Sequence, residues 1–500
     1  MAESAEEKSE IKVVRTALDE VPFGDDSDDS FGKNEKVSKK LPPEVTSRML
    51  YKDVVRIAWP SFVELMLTQL ASMVDLMMVG QLGPWAITAV GLTTQPKFLL
   101  MTMFTAMNVG ATAMVARYRG AGERDKANRI MRQSLLMTFV FAGISSILGY
   151  IFAEPLIIFM GAKDTDALQG GVVYLQIQMI GFIFMALTST ITAVLRGVGD
   201  SRTAMIYNMT ANVVNVVFNY LLIYGHFGFP EMGVAGASLA TIIGQFVAFV
   251  YAFFYVMKGR RYLHLRLRDG FKPHWGELKN IVNIGIPAMI EQLVMRAGLI
   301  IYTKTVASLG TIPYATHQVC LNIQGLSFMS GQAFAVSATS LVGQSLGKKR
   351  PDMAQAYCSY TRRIGFIIAI CIALVFFFFG DVIVSIYNDE PEIVTIGAQI
   401  LMVMAFIQPF QSSQFIVAGG LRGAGDTRAT AIITFITVLL VRPGFALFAI
   451  YVLDWGLQGA WVAMALDQII RTTLVFTRYK SGKWKNIKIH SNSKKLHTAH

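Results

Sequence analysis

Between residues 54 and 479 the chain alternates short polar stretches with apolar runs of about 20 or more residues, the length a helix needs to cross a bilayer. Barrel strands would instead show short alternating segments. Twelve spans are predicted, over 54–79, 86–116, 130–153, 168–195, 203–224, 233–257, 278–305, 313–343, 361–385, 393–420, 429–452 and 457–479. The expected fold class is an all-α integral membrane protein with twelve transmembrane helices.

The first span breaks its own pattern. At about 100° per residue, Ser61, Glu64, Thr68 and Asp75 fall on one side of the helix, while Leu65, Leu67, Leu70 and Met77 point elsewhere. An ionised side chain facing lipid costs at least ~2.5 kcal/mol, so this polar stripe should face a protein-lined or water-filled cavity. The fifth span offers a matching face, Asn212, Asn215 and Asn219, spaced by three and four. Those amides either pack helices together or, as oxygen donors with Asp75, ligate a hard cation such as sodium. Thr241 in the sixth span could add a hydroxyl.

The spans divide into two copies. Pro60 and Glu64 recur as Pro287 and Glu291 (287 − 60 = 227), Gly83 as Gly310, and Val115, Gly120 and Ala127 as Val342, Gly347 and Ala354. Leu195-Arg-Gly-Val-Gly-Asp-Ser-Arg202 returns as Leu421-Arg-Gly-Ala-Gly-Asp-Thr-Arg428. Six spans per copy is an even number, so both copies enter the membrane in the same sense, leaving a cleft between two pseudo-symmetric six-helix bundles. The expected organisation is a disordered tail over 1–48, an N-terminal lobe over 49–257, a linker over 258–277, a C-terminal lobe over 278–480 and a basic tail over 481–500.

Composition agrees with a membrane protein: 53% hydrophobic residues, 16% charged, mean hydropathy +0.47. The formal net charge of +12 sits in the loops after even-numbered spans, for example Arg117, Arg119, Arg124, Lys126, Arg129 and Arg132 after the second and Lys348, Lys349 and Arg350 after the eighth. The intervening loops carry almost no Lys or Arg, so the basic loops and both termini are expected on the cytoplasmic side. A nucleic-acid partner is not expected. Three scattered cysteines, Cys320, Cys358 and Cys371, fit packing rather than a disulfide framework or a thiolate metal site.

The remaining intramembrane charges admit two uses each. Depth counting from the first hairpin pairs Glu64 with Lys97 and leaves Asp75 as the titratable or cation-binding acid. Glu291 mirrors Glu64 without an evident lysine at its depth, which makes it the better substrate contact. Arg296, His317 and Asp467 are further candidates. Arg442 and Asp467 lie at similar depth and Asp467 and Arg471 are one turn apart, so internal pairing competes with function there. The LRGxGDxR loops read as tight turns with topology-setting arginines, since no strand precedes them as a phosphate cradle requires. With no His, Asp or Glu cluster at metal spacing, an enzyme is not expected.

The first span WPSFVELMLTQLASMVDLMMVGQLG, the repeated LRGxGDxR, the GVAGASLAT opening of the sixth span, and IPAMIEQLVMRAGLIIYTKTVASLG with ATHQVCLNIQGLSFMSG resemble the multidrug and toxic compound extrusion (MATE) family over roughly residues 50–480. The likeness is strongest to its DinF-like branch. It implies an antiporter of the plasma membrane, without cofactor, that exports organic cations or amphipathic drugs against inward protons or sodium. The expected working unit is a monomer in lipid. It also implies that Asp75 couples the cation, that Pro60 is where the first helix can bend, and that Asn215, Asn219 and Thr241 are the partners, Asp75 and Asn215 being the sodium ligands if sodium binds. Asn219 stands where those members carry an aspartate and cannot titrate. The alternative is a flippase for lipid-linked oligosaccharides or precursors, which would present a cationic cleft.

Overall fold

The computed structural model describes residues 45–487 apart from Lys163 and Arg260. Residues 1–44 and 488–500, which hold most of the two expected tails, lie outside that range.

Twelve long helices follow one another: α1 (Ser47–Gly80), α2 (Pro84–Gly120), α3 (Arg124–Ile151), α4 (Thr165–Gly197), α5 (Ser201–Tyr224), α6 (Gly233–Lys258), α7 (Trp275–Ala307), α8 (Thr311–Gly347), α9 (Pro351–Ser385), α10 (Pro391–Gly423), α11 (Thr427–Tyr451) and α12 (Gly456–Lys480). A short helix, Ala153–Phe159, follows α3. Ten of the twelve are apolar and long enough to cross a membrane; α8 and α12 fall short on hydropathy because they carry Thr316, His317, Gln318, Asn322 and Gln324, and Gln458, Asp467, Gln468 and Arg471. Helices so polar are tolerated in a membrane where neighbours cover them.

Local chemistry sets the boundaries. Thr46 is extended and its hydroxyl accepts from the Met49 N–H at 3.3 Å, so α1 begins seven residues before the predicted start. Gly83 and Gly310 hold φ of +121° and +114°, which turns the chain from α1 into α2 and from α7 into α8. The helix α1 continues through Pro60, as α7 does through Pro287. Helix α11 is the exception: Phe435–Val441 winds as a π-helix before Arg442 and Pro443. Proline lacks an N–H to donate, and widening the turn ahead of it accommodates that loss.

The two halves pack alike. In the N-terminal lobe α1 lies on α5, α5 on α6, and α2 and α3 on α4; in the C-terminal lobe α7 lies on α11, α11 on α12, and α8 and α9 on α10. The linker folds back under the first lobe, where Leu263 and Leu265 are buried and the Arg124 guanidinium donates to the carbonyls of Tyr262 and Arg261 at 2.7 and 2.9 Å.

The lobes meet through α1 with α8, α2 with α7, and α2 with α8. Most of their hydrogen bonds gather at the end of the bundle that carries the basic loops. Ser337 donates to the Val54 carbonyl at 3.1 Å, and Ser340 and Gln344 donate to the Gly197 carbonyl at 3.1 and 3.0 Å. At the crossing of α2 and α8 two repeat-related glycines face each other's helix. A Cβ on Gly120 would stand 1.8 Å from the Gln344 carbonyl oxygen, and one on Gly347 would stand 1.9 Å from that of Arg117. Backbone meets backbone here, and no side chain fits between.

Gly120→Ala should therefore force this end apart, at a cost of about 1–3 kcal/mol to the closed arrangement. Labelling of Ser340→Cys by a bulky maleimide, in a background lacking the exposed Cys371, should rise several-fold over the same protein with Gly120 intact. Gly444→Ala, where a Cβ meets open space, serves as control. Unchanged labelling in the Gly120 variant would show that this contact does not close the lobes.

Candidate functional site

Helices α1 and α5 run parallel, and the polar stripe of one meets an amide stripe of the other in constant register. Asn208 donates to Glu64 Oε1 at 2.6 Å, Asn212 to Thr68 Oγ1 at 3.1 Å and Asn219 to Asp75 Oδ1 at 2.5 Å, each across 144 residues of chain. Beside the last rung, the Asn219 amide also approaches Asn215 Oδ1 at 3.5 Å, and Asn215 donates to Thr241 Oγ1 on α6 at 3.2 Å. The four predicted coupling residues, Asp75, Asn215, Asn219 and Thr241, thus form one connected cluster inside the N-terminal lobe. Asn219 is fully buried and its Oδ1 accepts no hydrogen bond among the described residues. Tyr174 on α4 stands against Thr241 and within electrostatic reach of Asp75.

The donor set is one carboxylate, amide oxygens and a hydroxyl. Oxygens of this kind suit a proton or a small hard cation, and the unmatched Asn219 Oδ1 leaves an acceptor for one. Among the described residues there is no group of three or more His, Cys, Asp or Glu, so a transition-metal centre does not fit.

Two pairings read from depth are corrected. Glu64 binds Arg196 at 2.8 Å, not Lys97, and both Glu64 and its partner are largely withdrawn from solvent. Lys97 instead lies within electrostatic reach of Asp75, without forming an ion pair within 4.0 Å among the described residues. Glu291 is not free for substrate: it is paired with Arg422, and its second oxygen accepts from Thr430 at 3.0 Å. Depth counting compares heights along the membrane normal and ignores the direction a side chain takes around its helix. The direction decided both cases.

Arg196 and Arg422 are the first arginines of the two LRGxGDxR motifs, so the repeated motif and the repeated Pro-x-x-x-Glu are halves of the same bridge. The nearly equal spacing within the two repeats, 196 − 64 = 132 and 422 − 291 = 131, was the available signal. The motif's aspartates cap the bundle as well: Asp200 accepts from the Thr203 hydroxyl and from Tyr255, both at 2.9 Å, and Asp426 from Arg478 at 2.7 Å. Asn208 also escaped notice, although it completes the spacing of the asparagine face.

In the C-terminal lobe Asp467 is fully buried and accepts from Arg442 at 2.5 and 3.0 Å and from Arg471 at 2.6 and 2.8 Å. The π-helical turn of α11 comes just before Arg442, and its Thr437 hydroxyl accepts from Arg471 at 3.2 Å. His317 is fully buried between the rings of Tyr302 and Trp461, each 5.5 Å away, and neither ring nitrogen has a hydrogen-bond partner. Arg296 leaves its lobe: its guanidinium lies over the ring of Phe98 on α2 at 3.4 Å.

Two related six-helix lobes around a small set of enclosed intramembrane charges define a multi-pass membrane transporter. The MatE family model matches residues 60–221 and again 287–447, one segment for each lobe, and the chain belongs to that family. It is 29% identical to a probable multidrug resistance protein NorM of Thermotoga maritima, over 89% of this chain and 95% of that one. It is 26% identical to an uncharacterized transporter, YisQ, of Bacillus subtilis, over 86% and 94%. A solved structure described as the outward-facing conformation of a multidrug resistance MATE family transporter superposes with a TM-score of 0.81 at 21% identity, covering 87% of this chain and 97% of that chain.

Removing the Glu64 carboxylate strands Arg196 within the membrane. Glu64→Ala and Arg196→Ala should each destabilise the protein by about 3–5 kcal/mol, and the double variant by clearly less than their sum. Thermal unfolding of the four proteins in detergent measures the coupling; additive losses would mean that the two side chains do not act as a pair.

Proposed function

We propose that this protein is a secondary antiporter of the plasma membrane that exports amphipathic organic compounds by alternating access, driven by a proton or sodium ion taken up at Asp75. The observation that carries the reading is the setting of that carboxylate. It is the intramembrane acid that, among the described residues of the spans discussed above, is held by a neutral amide rather than an arginine. A carboxylate fixed to a guanidinium keeps its charge throughout a cycle, whereas one held by an amide can gain a proton or a cation and lose it again. Because Asn219 is an amide, Asp75 carries the change of charge itself. The names of the relatives, which include multidrug resistance proteins, support a drug-like cargo.

The positive-inside rule assigns the basic end to the cytoplasm, which makes the arrangement with lobes joined at that end outward-facing. Neutralising Asp75 removes a charge from the interface between α1 and α5 and favours another packing of α1, for which Pro60 supplies a weak point in the hydrogen-bond ladder. Cation and cargo then oppose each other only as far as each prefers one of the two packings. The lobes would rock about the glycine crossing of α2 and α8.

Asp75→Asn keeps the hydrogen-bonding shape and removes the titration. In proteoliposomes with proton and sodium gradients imposed separately, this variant should lose at least about tenfold of the gradient-driven efflux of fluorescent amphipaths such as ethidium and dansylcadaverine, a threshold worth ~1.4 kcal/mol of lost coupling. The gradient that drives the unaltered protein identifies the ion. Efflux that survives the substitution intact would remove Asp75 from the mechanism.

A further inference from the structure

The charges along the cleft do not balance. Glu64 on α1 and Glu291 on α7 are each bound to an arginine of their own lobe. Asp467 is shared by two arginines inside the C-terminal lobe. Asp75 has Lys97 in electrostatic reach. Arg296 is left over. It lies on α7, one of the helices through which the lobes meet, and is half-buried. Among the described residues no carboxylate stands within 4.0 Å of it and none of its N–H groups meets an acceptor; its contact is the face of Phe98 across the lobe boundary.

A guanidinium stacked on a ring has used its face and kept its edge. The five N–H donors point outward in the plane, in the fork that matches a carboxylate. An unpaired arginine within a membrane span is expensive, and a cation–π contact offsets only part of that expense.

We propose that the preferred cargo is an amphipath carrying one negatively charged group, which docks on the edge of the Arg296 guanidinium while its apolar body lies beside Phe98 between the lobes. A single guanidinium with its edge free suits one negative charge, so a carboxylate fits better than a pyrophosphate. The proposal rests on the export reading and replaces its expectation of organic cations.

Two dansyl probes share one fluorophore and differ in charge: dansyl-6-aminohexanoate, an anion, and dansylcadaverine, a cation. Gradient-driven transport of both is measured in proteoliposomes for the full chain, for Arg296→Gln and for Arg296→Lys. The unaltered protein should take the anion with the lower KM. Arg296→Gln should raise that KM by about tenfold or more, lower the KM for the cation, and thereby narrow or reverse the preference. Arg296→Lys, which keeps the charge and loses the fork, should fall between them.

If Arg296→Gln moves both probes in the same direction, the arginine is structural and the proposal fails. It fails equally if the unaltered protein prefers the cation and the substitution is silent, an outcome that leaves coupled export standing. Stronger competition by farnesyl pyrophosphate than by hexanoate-type anions would overturn the assignment to a single charge. Transport of either probe that neither gradient drives would sink the antiport reading first, and this proposal with it.

Discussion

The structure depends on a bridge made twice. In each lobe a glutamate one turn after a helix proline reaches the arginine that ends a neighbouring helix, Glu64 to Arg196 and Glu291 to Arg422. Each partner alone would be a charge without counterion inside a span, so neither motif is tolerable without the other. In the first lobe the pairing ties the proline-containing helix α1 to the last turn of α4, and the same turn offers Gly197 as acceptor for Ser340 and Gln344 of the opposite lobe. The carboxylate bridge within a lobe and the contact between lobes therefore share a single segment of chain.

With those acids neutralised, the two lobes diverge in what they do with the rest of their polarity. The N-terminal lobe zips α1 to α5 through neutral amides, which bind a carboxylate without fixing its charge. The C-terminal lobe encloses Asp467 between two arginines, with α12 packed on the π-helical stretch of α11. Removing Asp467 would leave two buried guanidinium groups without a counterion. Pseudo-symmetry supplies the common frame, and the lobes differ in whether an amide or a pair of arginines holds the remaining acid.

The sequence showed the twelve spans, the internal repeat and the polar face of α1 because each is a periodic signal, and periodicity survives without coordinates. The cluster of Asp75, Asn215, Asn219 and Thr241 was legible for the same reason, together with the resemblance to a family. The internal pairing of Asp467 was also foreseen as one of two options, since Arg471 lies four residues away. What escaped were relations fixed by rotation about a helix axis. Lys97 matched Glu64 in height and met Asp75's surroundings instead, while Arg196 and Arg422 looked like topology signals because they sit at loop edges. The π-helical turn carries no periodic mark at all; only Pro443, which cannot donate, hints at it.

An amide at position 219 changes what surrounds the Asp75 carboxylate. A second acid there would share the proton or cation with Asp75 and would also repel it when both were charged. Asparagine removes the repulsion and leaves a donor on one side and a buried, unmatched Oδ1 on the other. The donor binds the Asp75 carboxylate, and the orphan oxygen is an acceptor beside it; both lie within a single side chain. Among the described residues Lys97 stays beyond ion-pair range of that carboxylate, so Asp75 is held by an amide, whereas Glu64 is held by the guanidinium of Arg196.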